Sequence, residues 1–329
     1  MPRYFLGVDI GATKSHALVA DDTGQVLGFA KAGPGNHEIV GYKGLARTLQ
    51  TVTKEALAMA GLVIDQLAGA GFGVAGYDWP SQRELTLAAF QRLRLGQTPL
   101  EIVNDTLIGL LAGTTEGWGL AVVAGTSCNC WGWDRHRRVG RMTGLSTFMG
   151  EAAGASELVA QVIRTIAREW TQRGPATHLT PAFVKLVSAQ STEDLLEGLC
   201  LGRYKLSAAA APVVFQVAAE GDPVAQALIT WAGHELGDLA LGVIHQLKFE
   251  ALTFEVVLVG SLYNGGSSLI EPLRETIQAV APGARLVRLT VPPVVGGVLL
   301  GMEQAGINPW AIREALIKST NELLSSANH

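Results

Sequence analysis

The sequence predicts an α/β protein of two related halves around a cleft, and three observations carry that prediction. The first is a pair of strand–turn–strand units, YFLGVDIGATKSHALV from Tyr4 and GLAVVAGTSCNCWGW from Gly119. Each has an apolar strand, a glycine-bearing turn and an outgoing strand, which suggests a duplicated architecture. The second is that strand patterns at Leu67–Val74, Leu100–Val103 and Phe254–Val259 precede helical patterns, as in sheets covered by helices. The third is size. A chain of 329 residues with 48% apolar and 16% charged residues is well buried, long for one core, and fits two domains.

Composition excludes several classes of function. A net charge of −4 leaves no basic footprint for nucleic acid. Gly, Pro and charged residues break every apolar run before the roughly 18 residues that a membrane span needs. The first strand begins by Tyr4, which leaves no room for a signal peptide. Three cysteines (Cys128, Cys130 and Cys200) make no disulfide framework. The expectation is a cytoplasmic protein.

In the first unit, Asp9 interrupts the strand and Gly11-Ala12-Thr13-Lys14 forms the turn. Such a turn points unpaired backbone N–H groups at an anion, with the Thr13 hydroxyl and the Lys14 ammonium added. A carboxylate at Asp9 beside phosphate is favourable only with a bound cation. An ordinary hairpin whose glycine serves the turn alone also fits. In the second unit the turn is Gly125-Thr126-Ser127, running on to Asn129.

Between the units, Gly33-Pro34-Gly35-Asn36-His37 reads as a breaker-rich loop, and Leu45–Ala60 as a helix stopped by Gly61. Asn36 suits a hydroxyl or acetamido group, or a turn. Glu84–Leu95 reads as a further helix, and Asp78 as an N-cap or loop carboxylate. The strand Leu100–Val103 runs straight into Asn104-Asp105. A carboxylate at the carboxyl end of a sheet strand lies where ligands bind. Asp105 equally suits the N-cap of a helix starting near Thr106. Residues 155–248 are helical by pattern, with no chemistry evident. Cys128-Asn129-Cys130 supplies at most two metal ligands, with no cluster to complete a site.

With these motifs in this order, the sequence resembles the sugar kinase/Hsp70/actin superfamily over nearly its whole length. Within it, the chain resembles the N-acetylglucosamine kinase and BadF/BadG-type ATPase family. The resemblance implies two actin-like (ribonuclease H-like) domains with mixed sheets flanked by helices and an interdomain cleft. The implied division is residues 1–112 and residues 113–308. The second carries a helical insert at 155–248, and a terminal helix at 309–324 packs back on the first. It implies an ATP-dependent kinase acting on N-acetylglucosamine or glucosamine at the 6-hydroxyl, as a homodimer. The alternative is an ATPase that activates a partner enzyme.

The resemblance also implies site residues. Asp105 is the catalytic base, and Asp9 holds Mg²⁺. Gly11, Ala12, Thr13, Lys14, Gly125, Thr126 and Ser127 bind phosphates. Asn36, Asn104, Asp105, Gly144 and Glu151 bind the sugar, and Gly260, Ser261 and Asn264 face adenosine. The chain departs from the family pattern at Ala75, where some relatives have serine, and at Gly144-Leu145-Ser146. It departs again at Ala152, where a second acid is usual. These positions bear on the choice of sugar.

Overall fold

A computed structural model describes residues 2–142 and 148–326. The first hairpin is present: β1 (Tyr4–Ile10) and β2 (Ser15–Asp21) pair antiparallel, with Asp9 opposite His16. β3 (Val26–Ala32), β4 (Leu67–Val74) and β5 (Leu100–Asn104) complete a sheet of order β3-β2-β1-β4-β5. Its first two pairings are antiparallel and its last two parallel. The second hairpin, β6 (Gly119–Ala124) with β7 (Cys128–Trp133), starts a sheet with β8 (Val139–Arg141), β9 (Phe254–Val259) and β10 (Ala284–Arg288). Read from its β8 end, the order β10-β9-β6-β7-β8 repeats the first sheet, two antiparallel pairings followed by two parallel ones. Duplication of the hairpin is thus duplication of a whole sheet.

Strand periodicity explains the layering. In β1, Leu6, Val8 and Ile10 bury toward α1 (His37–Ala60), while Phe5 points the other way. Phe5 meets a cluster that includes Val294, Val298 and Met302 of α10 (Val294–Gln304). Against the second sheet lies α3 (Asp105–Gly113), whose Leu107, Ile108, Leu110 and Leu111 pack with Ala121, Trp131 and Val257. α3 and α10 therefore form the middle of the molecule, one on each sheet. The helices α4 (Ala155–Trp170), α5 (Leu179–Leu186), α6 (Thr192–Cys200), α7 (Ala211–Ala219), α8 (Pro223–Leu247) and α9 (Ser267–Val280) contribute to one core on the far face of the second sheet.

Glycine makes the central layer possible. A Cβ on Gly7 of β1 would meet the carbonyl oxygen of Val294 at 2.5 Å, and one on Gly71 of β4 would overlap the carbonyl of Gly297. On the opposite side of α10, a Cβ on Gly296 would overlap the carbonyl of Ile108 in α3. Sheet, α10 and α3 touch backbone to backbone, which only glycine permits.

Some boundaries differ from expectation. α1 begins at His37, not Leu45, because Asn36 caps it by accepting from the N–H of Glu38 at 2.9 Å. Gly41, with φ 67°, breaks helical geometry after the first turn, which hides that turn from a periodicity reading. The next helix, α2 (Arg83–Phe90), is shorter than Glu84–Leu95 because residues 91–93 tighten into a 3₁₀ turn ending at Arg94, φ 55°. The terminal helix α11 (Arg313–Ser326) buries Leu316 beside Phe5 and Val26. Its Ser319 hydroxyl accepts from the N–H of Val26 at 2.9 Å.

Candidate active site

Both hairpin turns are braced in the same way. Gly11 donates its N–H to the carbonyl of Lys14 at 3.1 Å, and its own carbonyl accepts from the N–H groups of Gly35 and Asn36. Gly125 donates to the carbonyl of Ser127 at 2.9 Å, and its carbonyl accepts from the N–H of Ala155. Each turn is thereby tied to the start of a helix, α1 in one half and α4 in the other. This bracing fixes the two turns facing one cavity of about 470 Å³.

That cavity collects residues from both sheets. Ala12 and Thr13 come from the first turn, and Gly125, Thr126, Ser127, Cys128 and Asn129 from the second. Asn36, Asn104, Asp105 and Glu151 also line it. Of the expected phosphate residues, Gly11 and Lys14 are not in the lining. Gly11 is spent on the turn itself, and Lys14 is exposed. Gly144 lies outside the described residues.

Three carboxylates converge at the first-sheet side. Asp105 is the first residue of α3, and its helix is capped not by Asp105 but by Asn104, whose Oδ1 accepts from the N–H of Thr106 at 2.9 Å. Asp105 is therefore not required as the cap. Burial, then the charges of Asp9 and Asp78, push its carboxyl up to about 8, with nearby backbone N–H groups offsetting part of the shift. Asp9 sits one layer back on β1, its carboxylate 3.8 Å from the His16 imidazole.

Asp78 is the residue that sequence reasoning undervalued. It caps nothing: the turn after it is closed by the Gln82 side chain, which accepts from the N–H groups of Asp78 and Trp79. Its carboxylate instead lines the cavity, buried, and accepts from Asn104 Nδ2 at 2.8 Å. Burial and the charges of Glu38 and Glu151 push it up to about 7, while Arg141 and Asn104 pull the other way. No local pattern signals this, because Asp78 and Asn104 are brought together only by the pairing of β4 with β5.

A second cavity of about 470 Å³ shares Gly125 and Thr126 with the first. Ser261 and Asn264 line it, as expected for the far side of a nucleotide. Asn264 Oδ1 accepts from Arg288 at 3.1 Å, which leaves its amide nitrogen free of that bond. Gly260 is not in the lining; its φ of 116° and the Ala124 backbone fill the space a side chain would need. The opposite wall is Ala208, Ala209, Pro212 and Phe215. The helical block, to which the sequence assigned no chemistry, therefore supplies half of this cavity.

Two of the three cysteines are placed in the core, and Cys200 is exposed. Cys128 and Cys130 are buried, and burial pushes the Cys128 thiol up to about 12 and that of Cys130 higher still. Such thiols are poor ligands and poor nucleophiles. Among the described residues no group of three His, Cys, Asp or Glu side chains is placed to hold a metal by itself.

Comparison with known proteins bears on the fold and the family. The N-acetylmuramic acid/N-acetylglucosamine kinase of Clostridium acetobutylicum is 22% identical over 305 residues, covering 92% of this chain and 99% of that one. The N-acetyl-D-glucosamine kinase of Dictyostelium discoideum is 24% identical over 311 residues, covering 91% and 97%. A solved structure from Chromobacterium violaceum, provisionally named an N-acetylglucosamine kinase, superposes with a TM-score of 0.64 at 22% identity, over 91% of this chain and 98% of that one. The profile of the BadF/BadG/BcrA/BcrD ATPase family matches residues 6–301. A match over that much of the chain places the protein in the BadF/BadG/BcrA/BcrD ATPase family.

Proposed function

We propose that the protein is an ATP-dependent kinase of an amino sugar, N-acetylglucosamine or glucosamine, acting at the 6-hydroxyl. The observation that carries this reading is the position of Asp105. It stands at the carboxyl end of β5, in one cavity with both hairpin turns. Relatives that align with the chain over nearly full length, at 22% and 24% identity, are named as kinases of N-acetylglucosamine. Phosphoryl transfer needs positioning, charge neutralisation and a base for the attacking hydroxyl.

In this reading Thr13, Thr126 and Ser127 hold phosphate oxygens with the backbone N–H groups of the two turns. Asn36, Asn104, Asp78 and Glu151 hold sugar hydroxyls. Asp105 accepts the 6-hydroxyl proton as the bond to phosphorus develops. Ser261, Asn264 and Phe215 enclose the adenosine. Asp9 offers a hard oxygen donor whose charge helps push up the neighbouring Asp105, a repulsion that a divalent cation at Asp9 would relieve. This fits Mg²⁺ held through one carboxylate plus phosphate oxygens, with Asp105 left as the base. Bound there, Mg²⁺ would neutralise charge on the transferred group.

The proposal includes a homodimer, in which Trp170, Leu186 and Leu201, each exposed on the helical block, would be candidates for cover; light scattering tests it. No described helix is long and apolar enough to cross a membrane, and a cytoplasmic site is part of the proposal. The test of function is coupled ADP release over amino, N-acetyl and neutral hexoses. Release above background with N-acetylglucosamine or glucosamine is expected; a flat response to every hexose refutes the assignment.

A further inference from the structure

Next to the cavity that holds Asp105 lies a larger one of about 700 Å³, and the two share Asp78 and Asn104 as a common wall. Its walls come from both halves: Trp79 and Arg83 from the first, Trp131, Trp133 and Arg141 from the second. It has no part in the phosphate and adenosine sites described above.

Its chemistry is specific. The Arg141 guanidinium lies over the ring of Trp79 at 4.7 Å and that of Trp131 at 5.4 Å. Two aromatic faces hold the planar cation in place. Its backbone is held too, by reciprocal bonds with the Gln246 side chain at 2.9 and 3.0 Å. Among the described residues, no hydrogen bond or ion pair reaches its guanidinium N–H groups. Of the other charges in the lining, Asp78 accepts from Asn104, and Arg83 is a second cation with no ion pair among the described residues. Arg137 is ion-paired with Glu303, and Glu101 accepts from the N–H of Ile102. Trp131 and Trp133 are more than nine-tenths buried, and neither indole N–H has a partner among the described residues. A fixed guanidinium with free donors, beside unpaired indole N–H groups, suits a carboxylate.

We propose that this cavity is a subsite for an anionic substituent carried by the amino sugar. The sugar ring would occupy the Asp105 cavity and its carboxylate-bearing arm would pass Asp78 and Asn104 to reach Arg141. The proposal rests on the kinase reading above and narrows its substrate class to acidic hexosamines. Arg141 is on β8 of the second sheet and Trp79 in the loop that follows β4 of the first, so the arm also bridges the two halves.

The test is calorimetric and does not depend on turnover. N-acetylglucosamine, N-acetylmuramic acid (whose lactyl ether carries a carboxylate) and the methyl ester of that acid are titrated into the full chain. The wild type should bind the acid at least about tenfold more tightly than the ester, the scale of a charge-assisted hydrogen bond. Arg141→Gln should erase that preference while N-acetylglucosamine binding stays within about twofold. Trp79→Ala, at a residue 42% exposed, removes one face of the stack and should reduce the preference severalfold even if the arginine variant fails to fold. Equal binding of acid and ester by the wild type overturns the subsite, as does an equal loss of all three ligands in Arg141→Gln. Binding of N-acetylglucosamine without the acid also overturns it and leaves the kinase reading intact. Binding of no sugar, with no ADP release, removes both.

Discussion

Asn104 spends its two side-chain ends on different partners, and one of them is Asp78. Its Oδ1 caps α3 through the N–H of Thr106, and its Nδ2 donates to Asp78 Oδ1 at 2.8 Å. The bond ties the end of β5 to the loop after β4, beside Asp105. The geometry of the proposed base is thus set by a neighbour that belongs to the helix cap.

That relation separates chemistry from capping at Asp105. Asp105→Asn keeps the shape, leaves the Asn104 cap intact and removes the proton acceptor. Its kcat should fall by about 10²–10⁴-fold, with near-normal melting temperature and retained binding of sugar and ATP by calorimetry. In the wild type, kcat/KM should rise with pH toward a plateau above about 8, the value to which burial and Asp9 push Asp105. A loss confined to KM would make Asp105 a positioning residue.

Asp78 makes a pH prediction of its own. Its carboxyl, at about 3.8 in the unfolded chain, is pushed up to about 7 by burial in the native protein. Between those values the native state holds more protons than the unfolded state, so stability falls as pH rises. The ligand-free protein should therefore melt higher at pH 5 than at pH 8. Each kcal/mol amounts to about 2–4 °C for a chain of this size. Asp78→Asn, which can still accept from Asn104, should flatten the slope in thermal melts; an unchanged slope assigns it to other groups.

Asp9 is tested through the metal. Asp9→Ala should abolish turnover and weaken Mg·ATP more than free sugar, by calorimetry with each ligand alone. Wild-type rates in that variant would remove the metal role from Asp9.

Glu151, almost fully buried in the cavity wall, is the remaining expected sugar contact. Glu151→Gln should raise the sugar KM roughly tenfold with a smaller effect on ATP, the cost of one charge-assisted hydrogen bond. If the sugar KM does not move, the acid serves only the start of α4.

Much of the fold was legible because it is local. Alternation in β1 and β2, the turn at Gly11 and its echo at Gly125 are each contained in a dozen residues. What escaped depends on distant partners. The role of Asp78 arises from a bond to Asn104, and the wall at Phe215 comes from a helix folded over from the insert. The first turn of α1 escaped for a local reason, since Gly41 interrupts the very periodicity by which helices are read. Arg141 shows its stacked partners only once β8 is laid beside the loop at Trp79.

The glycine contacts of α10 carry a mechanical consequence. Meshed side chains act like gear teeth, and sliding them past one another requires many rotamers to change together. Gly296 against the Ile108 carbonyl, and Gly71 against the Gly297 carbonyl, present smooth backbone instead. A swivel of one sheet against the other about this layer would meet backbone rather than interlocked rotamers at these contacts. A single methyl at Gly296 would wedge α10 away from α3 and obstruct such a swivel far from any substrate.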